Sequence, residues 1–259
     1  MIGAIIGDLA GSIYEFEQTR KVKNVEVKEL ISDISFYSDD TILTVAVIDA
    51  ILQGGDYNRY LREYANRYLG YLPNFSPYFK GIFSKGFTSW LKTSSQGKSC
   101  GNGAMMRISP VGFMFETEED VIDNAILATI CSHNNTSAIS SSIKVALIIF
   151  YARKGLTKEQ ILKKLNITLK FKPFERFNIT CIETFDNCVY ATFTSNSFEE
   201  AVKKVISYGG DTDTNACIVG AMSEALYSVN RSTVVLARQK LPKEFLDVLG
   251  RVYEKENIV

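Results

Sequence analysis

The sequence predicts an all-α fold. Apolar residues recur three and four apart in segment after segment. No stretch alternates apolar and polar residues over a strand's length, and no internal repeat is visible. The two most apolar segments, 42–52 and 215–229, each follow a short acidic loop of the kind that caps a helix N-terminus. The 259 residues lie near the upper limit of what one hydrophobic core serves and no linker interrupts them, so one domain over 1–259 is expected. Lys plus Arg and Asp plus Glu number 29 each, which excludes a bulk basic field for nucleic acid. The five cysteines (Cys100, Cys131, Cys181, Cys188 and Cys217) form no CxxC pair; they suit apolar positions in a reducing compartment rather than zinc. The first residues carry no basic lead, and the strongest internal apolar run, 145–152, is far short of a membrane span. A soluble, cytoplasmic monomer that engages no membrane is expected.

Taken in order, Ile2, Ile5, Ile6, Leu9 and Ile13 fall at helical spacing among Gly3, Ala4, Gly7, Ala10 and Gly11. This predicts a closely packed, buried first helix that carries Asp8 and ends near Glu15. A buried Asp8 costs several kcal/mol, in order of magnitude, unless it is hydrogen-bonded. Residues 21–34 are polar and β-branched and read as a surface loop or short strand. The run 42–52, capped by Asp40 or Thr41 and stopped by Gly54-Gly55, fits a buried helix. Residues 57–71 make an amphipathic surface helix. Residues 72–98 form a long connection rich in aromatics, among them Phe75, Tyr78, Phe79, Phe83, Phe87 and Trp90. A loop at 99–103 then starts a helix that Pro110 should end. Helices over 120–131 and 134–153 follow, separated by Ser132 and His133. Shorter ones cover 157–165, with Thr157 as cap, and then 179–192 and 198–208. After the apolar helix that follows Thr214, Pro242 opens a last helix with Phe245, Leu246 and Leu249 on one side.

Chemistry concentrates in two loops, Ser38-Asp39-Asp40-Thr41 and Gly209-Gly210-Asp211-Thr212-Asp213-Thr214. A helix cap accounts for one aspartate in each, not two. Either the loops are separate caps, or they meet. Two carboxylates about 4 Å apart repel by roughly 4 kcal/mol at an effective dielectric of 20, and divalent cations remove that cost. Carboxylates and hydroxyls without a nearby Cys or His suit magnesium or manganese, and four carboxylates suit two ions. Glycines around Asn102 allow backbone N–H groups near a phosphate, with Arg107 to supply charge and the preceding aromatics to stack a base; the same residues read equally as a plain turn at 101–103 and an ordinary helix residue at Arg107. His133, the sole histidine, can titrate or donate a hydrogen bond to a ligand.

Five segments occur in a fixed order: Gly7-Asp8 with Gly11 to Glu15, then Ser38 to Thr41, Gly101 to Arg107, Ser132-His133-Asn134, and Gly209 to Thr214. This series resembles the ADP-ribosylglycohydrolase family from residue 3 to about residue 227. The resemblance implies a single orthogonal multi-helix domain with two Mg2+ or Mn2+ ions. It also implies hydrolysis of the bond between ribose C1″ of ADP-ribose and an acceptor on a protein or small molecule. Ser38, Asp39, Asp40, Asp211, Asp213 and Thr214 match its metal ligands, and Glu15 its glutamate beside the metals. With Asp40 and Asp211, Glu15 forms the catalytic set. Ser99, Cys100, Gly101, Asn102, Gly103 and His133 match the residues that receive ADP-ribose. The chain departs from the family pattern at Ser38, where threonine is usual, at Cys100, where relatives can carry an aromatic, and at Asn134-Asn135 after the histidine. These departures bear on selectivity more than on hydrolysis. The same carboxylates would serve a two-metal phosphohydrolase of ADP-ribose or a nucleotide, or a non-catalytic ADP-ribose-binding or structural protein.

Overall fold

The computed structural model describes residues 1–73 and 81–255. Phe75, Tyr78 and Phe79 lie outside the described residues. Among those described, fifteen helices and no strand are found. The first five are α1 (Ile2–Gly11), α2 (Glu15–Gln18), α3 (Asp39–Leu52), α4 (Tyr57–Arg67) and α5 (Lys85–Leu91). Next come α6 (Gly103–Met106), α7 (Ser109–Met114), α8 (Glu118–Ile130), α9 (Thr136–Arg153) and α10 (Lys158–Lys164). The set ends with α11 (Cys181–Phe193), α12 (Phe198–Ser207), α13 (Thr212–Leu226), α14 (Arg231–Gln239) and α15 (Lys243–Lys255). Two isolated bridges, Lys98 to His133 and Gly101 to Thr180, are the only β-type pairings described. No helix among the described residues is long and apolar enough to cross a membrane.

The centre of the molecule is an antiparallel seam between α1 and α13, both almost wholly buried. A Cβ on Gly3 would stand 2.4 Å from the Gly220 carbonyl oxygen, one on Gly7 2.0 Å from that of Ala216, and one on Gly11 2.2 Å from that of Thr212. Residues four apart on one helix thus meet residues four apart on the other, backbone to backbone, because nothing larger than hydrogen stands between them. The seam delivers the C-terminal end of α1 to the N-terminal end of α13. Helix α3, with ten buried residues, packs beside them.

The structure differs from the sequence reading at several points. Helix α1 stops at Gly11 rather than near Glu15. The Ser12 hydroxyl bonds back to the Leu9 carbonyl (3.0 Å), and the Gly11 carbonyl accepts both the Thr212 hydroxyl (2.8 Å) and Tyr14 N (3.0 Å), the latter a tighter turn than a continuing helix makes. A turn then leads into α2, which begins at Glu15. Pro110 does not end a helix; it sits in the first turn of α7, where its missing N–H costs nothing. Helix α14 was not anticipated, because Ala237 is its one buried residue and Val235 and Leu236 face solvent, so the segment carries no clear apolar stripe. The cap of α3 is Ser38, which accepts from Asp40 N, rather than Asp40 or Thr41, so that helix starts at Asp39; Thr157 caps α10 as expected and forms a capping box with Gln160.

Candidate metal centre

The two acidic loops meet. Asp8 from α1, Asp40 from the first turn of α3 and Asp213 from the first turn of α13 place carboxylate oxygens within 4.8 Å of one another. A second group, Glu15, Asp211 and Asp213, does the same and shares Asp213 with the first. The Thr214 hydroxyl donates to Asp40 Oδ2 at 3.2 Å, which joins the α13 loop directly to the α3 loop. The Ser38 hydroxyl lies 2.8 Å from Asp8 Oδ1 and 3.1 Å from Asp40 Oδ2, so its one hydrogen serves two carboxylates. Asp39 is half-buried beside these groups and joins neither at that spacing.

Asp8 has a role that the sequence reading left open. Its Oδ2 accepts from Ser38 N (2.9 Å), Thr41 N (3.1 Å) and the Thr41 hydroxyl (2.5 Å). With three donors on one oxygen and Ser38 on the other, Asp8 is occupied in holding the Ser38–Thr41 turn, and Asp40 is left facing the centre. Asn178 was also missed. Its carbonyl oxygen accepts from Asp211 N at 2.9 Å while its amide donates to Thr184 and Asn215, so it fixes the start of α13 from a segment without helical periodicity. Gly209 and Gly210 both have positive φ (73° and 77°), and a Cβ on Gly210 would collide with Asn178 at 2.1 Å.

Crowding of like charges away from water shows in the ionisation of the groups. Burial, then the Asp213 charge, raises Asp8 to about 7. Burial raises Asp211 to about 6 although Asn102 and its neighbours stabilise the anion. Burial followed by neighbouring aspartates pushes Glu15, Asp39, Asp40 and Asp213 well above the usual carboxylate range. Asp40 Oδ1 is buried and makes no hydrogen bond to the described residues, an orphaned acceptor of the kind that a cation would satisfy. An oxygen-only donor set with such an orphan fits hard divalent cations such as Mg2+ or Mn2+.

The ligand-loop residues surround this centre unequally. Asn102 is buried, and its amide donates to Asp211 Oδ2 at 2.6 Å, which ties the glycine loop to the acidic groups. Ser99 and Cys100 are exposed, and the Ser99 hydroxyl accepts from Gly101 N at 3.0 Å. His133 is buried, with Nε2 3.5 Å from where a Cβ on Gly101 would stand and 3.6 Å from one on Gly103. Arg107 does not line the loop as a phosphate charge. It is 1% exposed and donates to the Ser132 hydroxyl at 2.6 Å, because α6 turns it inward. The described aromatics of the long connection pack on one another and on a neighbouring cation. Phe83 stacks on Phe87, Phe87 packs on Trp90, and the Arg62 guanidinium lies 4.0 Å from the Trp90 ring centroid, so these faces are covered within the protein. Of the cysteines only Cys100 is exposed.

Helices packed around an oxygen-lined acidic centre define an all-α domain whose carboxylates could hold divalent metal ions. The family model for ADP-ribosylglycohydrolase matches residues 1–254, and the chain belongs to that family. ADP-ribosylhydrolase ARH3 of Bos taurus is 22% identical over 98% of this chain and 92% of its own length, and that of Mus musculus 21% over 89% and 83%. The "ADP-ribosylarginine hydrolase Tri1" of Pseudomonas putida is 21% identical over 89% of this chain and 70% of its own length. A chain in a solved structure described as an "ADP-ribosylglycohydrolase-related protein complex" shares the fold, with a TM-score of 0.70, 20% identity and coverage of 92% of this chain and 95% of that one. Family and acidic clusters together support a metal-dependent hydrolase of ADP-ribose linkages.

Proposed function

We propose that the chain cleaves the C1″ glycosidic bond between ADP-ribose and an acceptor, preferably an arginine side chain, and so reverses ADP-ribosylation. The carrying observation is the pair of acidic groups that share Asp213 and are tied to the Gly101–Gly103 loop through Asn102 and Asp211. In this reading Ser38, Asp39, Asp40, Asp211, Asp213 and Thr214 hold two Mg2+ or Mn2+ ions, and Ser99, Cys100, Gly101, Asn102, Gly103 and His133 receive ADP-ribose. Ions bound there supply Lewis acidity and neutralise the converging carboxylates. The rest falls to the chain's own groups. Backbone N–H groups of the glycine loop orient the diphosphate, and the bond from Asn102 to Asp211 keeps that loop in register with the acidic centre. Glu15, which stands within the second acidic group and is ionised once cations offset the neighbouring charges, takes the proton from the attacking water at a carboxylate oxygen as the acceptor leaves with the bonding electrons. The preference for arginine draws on the name of the Pseudomonas putida relative and on chemistry: a guanidine leaves readily once protonated, whereas a serine alkoxide needs more help.

Peptides ADP-ribosylated on arginine, serine or cysteine, offered in equal amounts with magnesium, test this directly. Release of intact ADP-ribose, fastest from arginine and abolished by EDTA, is expected. AMP as product would instead establish a phosphohydrolase, and binding without release from any peptide would establish a binding protein.

A further inference from the structure

We infer that Arg107 and Ser132 are a positioning pair that fixes His133 in the tautomer with its hydrogen on Nε2 and so presents an N–H donor to the ligand at the Gly101–Gly103 loop. The ligand half of the inference rests on the reading above, in which that loop receives ADP-ribose; the tautomer half does not. The argument is one of donor and acceptor accounting. A guanidinium only donates. Arg107 Nη2 donates to Ser132 Oγ at 2.6 Å and lies 3.5 Å from His133 Nδ1, while Ser132 Oγ and His133 Nδ1 are 2.7 Å apart. Ser132 Oγ makes no other hydrogen bond to the described residues, so with Arg107 donating to it, its own hydrogen has His133 Nδ1 as acceptor. Nη2 has a second acceptor in the Ala128 carbonyl at 3.4 Å, so its two hydrogens are accounted for without His133; Nδ1 accepts from Ser132, and the ring hydrogen sits on Nε2. The opposite tautomer would set an Nδ1–H against the Arg107 N–H and leave the buried Ser132 hydrogen without an acceptor.

Two further observations agree. Nε2 makes no hydrogen bond to the described residues and stands beside Gly101 and Gly103, whose missing side chains keep the space around it clear. Arg107 is buried without an ion pair among the described residues, and its Nε and Nη1 have no partner, so folding stability gives no reason for a cation there. Burial first, and the neighbouring guanidinium second, hold the imidazole well below its usual range, which keeps it neutral.

Because the chain has one histidine, a long-range proton–nitrogen NMR correlation of the 15N-labelled, ligand-free protein reads the tautomer without assignment. The wild type should show protonated Nε2 and bare Nδ1 nitrogens. Ser132→Ala, which leaves Arg107 in place and tests the pair even if an Arg107→Met variant does not fold, should give a mixture of tautomers, and Ser132→Thr should restore the original pattern. Calorimetry with magnesium should show ADP-ribose binding weakened about tenfold in Ser132→Ala, the worth of one hydrogen bond, and recovered in Ser132→Thr. An Nδ1–H signal in the wild type, or an unchanged spectrum in Ser132→Ala, overturns the inference. Wild-type protein with the Nε2–H pattern but no affinity for ADP-ribose overturns the ligand reading and leaves the positioning pair supported.

Discussion

Asp213 belongs to both acidic groups, so its charge bears on every other carboxylate in the centre. The consequence is testable through pH. Asp8 titrates at about 7 in the folded chain against 3.8 for the free side chain, and Asp211 at about 6, so the folded state binds more protons than the unfolded state across that interval. Stability of the metal-free protein should therefore fall as pH rises from about 4 through about 7, and Glu15, Asp39, Asp40 and Asp213, raised in the same direction, add to that fall. Thermal melts in EDTA should show this slope, and millimolar magnesium should flatten it; a flat profile without metal would show that the carboxylates do not share one enclosed volume. At the same scale, Asp40→Asn and Asp211→Asn should each lower turnover by about two orders of magnitude or more, since each removes charge from a site that works by metal polarisation. The metal-free Asp40→Asn protein should nevertheless melt higher than wild type, because a like charge has gone. Glu15→Gln should lower kcat more than it weakens metal affinity, read by kinetics beside calorimetry; equal losses would make Glu15 an indispensable ligand.

At the scale of elements, the seam between α1 and α13 sets the spacing of these groups. Gly7→Ala would place a methyl 2.0 Å from a backbone carbonyl oxygen that cannot swing aside, so α1 has to shift. A loss of about 3 kcal/mol is expected by chemical denaturation, at the upper end for overpacking, with weakened metal binding because Asp8 moves with the helix. Gly54→Ala is the control for metal binding: nothing lies within 4 Å of that position, although its positive φ makes the change mildly strained. The seam was half legible. Small residues four apart in a strongly apolar helix announce close packing, but nothing in the sequence says which helix the partner is. Asp8 shows the same limit, since the sequence requires that a buried aspartate be hydrogen-bonded while its donors, Ser38 and Thr41, lie 30 and 33 residues away. Arg107 was left between a phosphate charge and an ordinary helix residue because helical spacing does not reveal whether the residue that caps a four-residue helix points outward or inward. Asn178 was invisible because its segment has no period, and α14 because its apolar residues are partly exposed.

For the whole molecule, the class of fold was legible because caps, periodicity and glycine stops are local signals, and most helices begin within a few residues of where those signals place them. The meeting of the two acidic loops was not a local signal; the residues left it as one of two alternatives, the resemblance favoured it, and the geometry bears it out. One consequence of the central seam concerns how the chain acquires its structure. Thr212 bonds the Gly11 carbonyl across 201 residues of sequence, so the contact that builds the acidic centre is also among the most distant the chain makes. Closing a loop of that length costs about 5 kcal/mol in chain entropy before any native contact repays it. Helical content should thus appear early in refolding, as its bonds are local, while capacity to bind the cation should appear late and in step with burial of α1. A stopped-flow experiment that follows circular dichroism beside manganese binding would separate the two phases. Folding and metal loading would then be one event at the end of assembly: a chain released without its last third could be helical, yet would have no centre to fill.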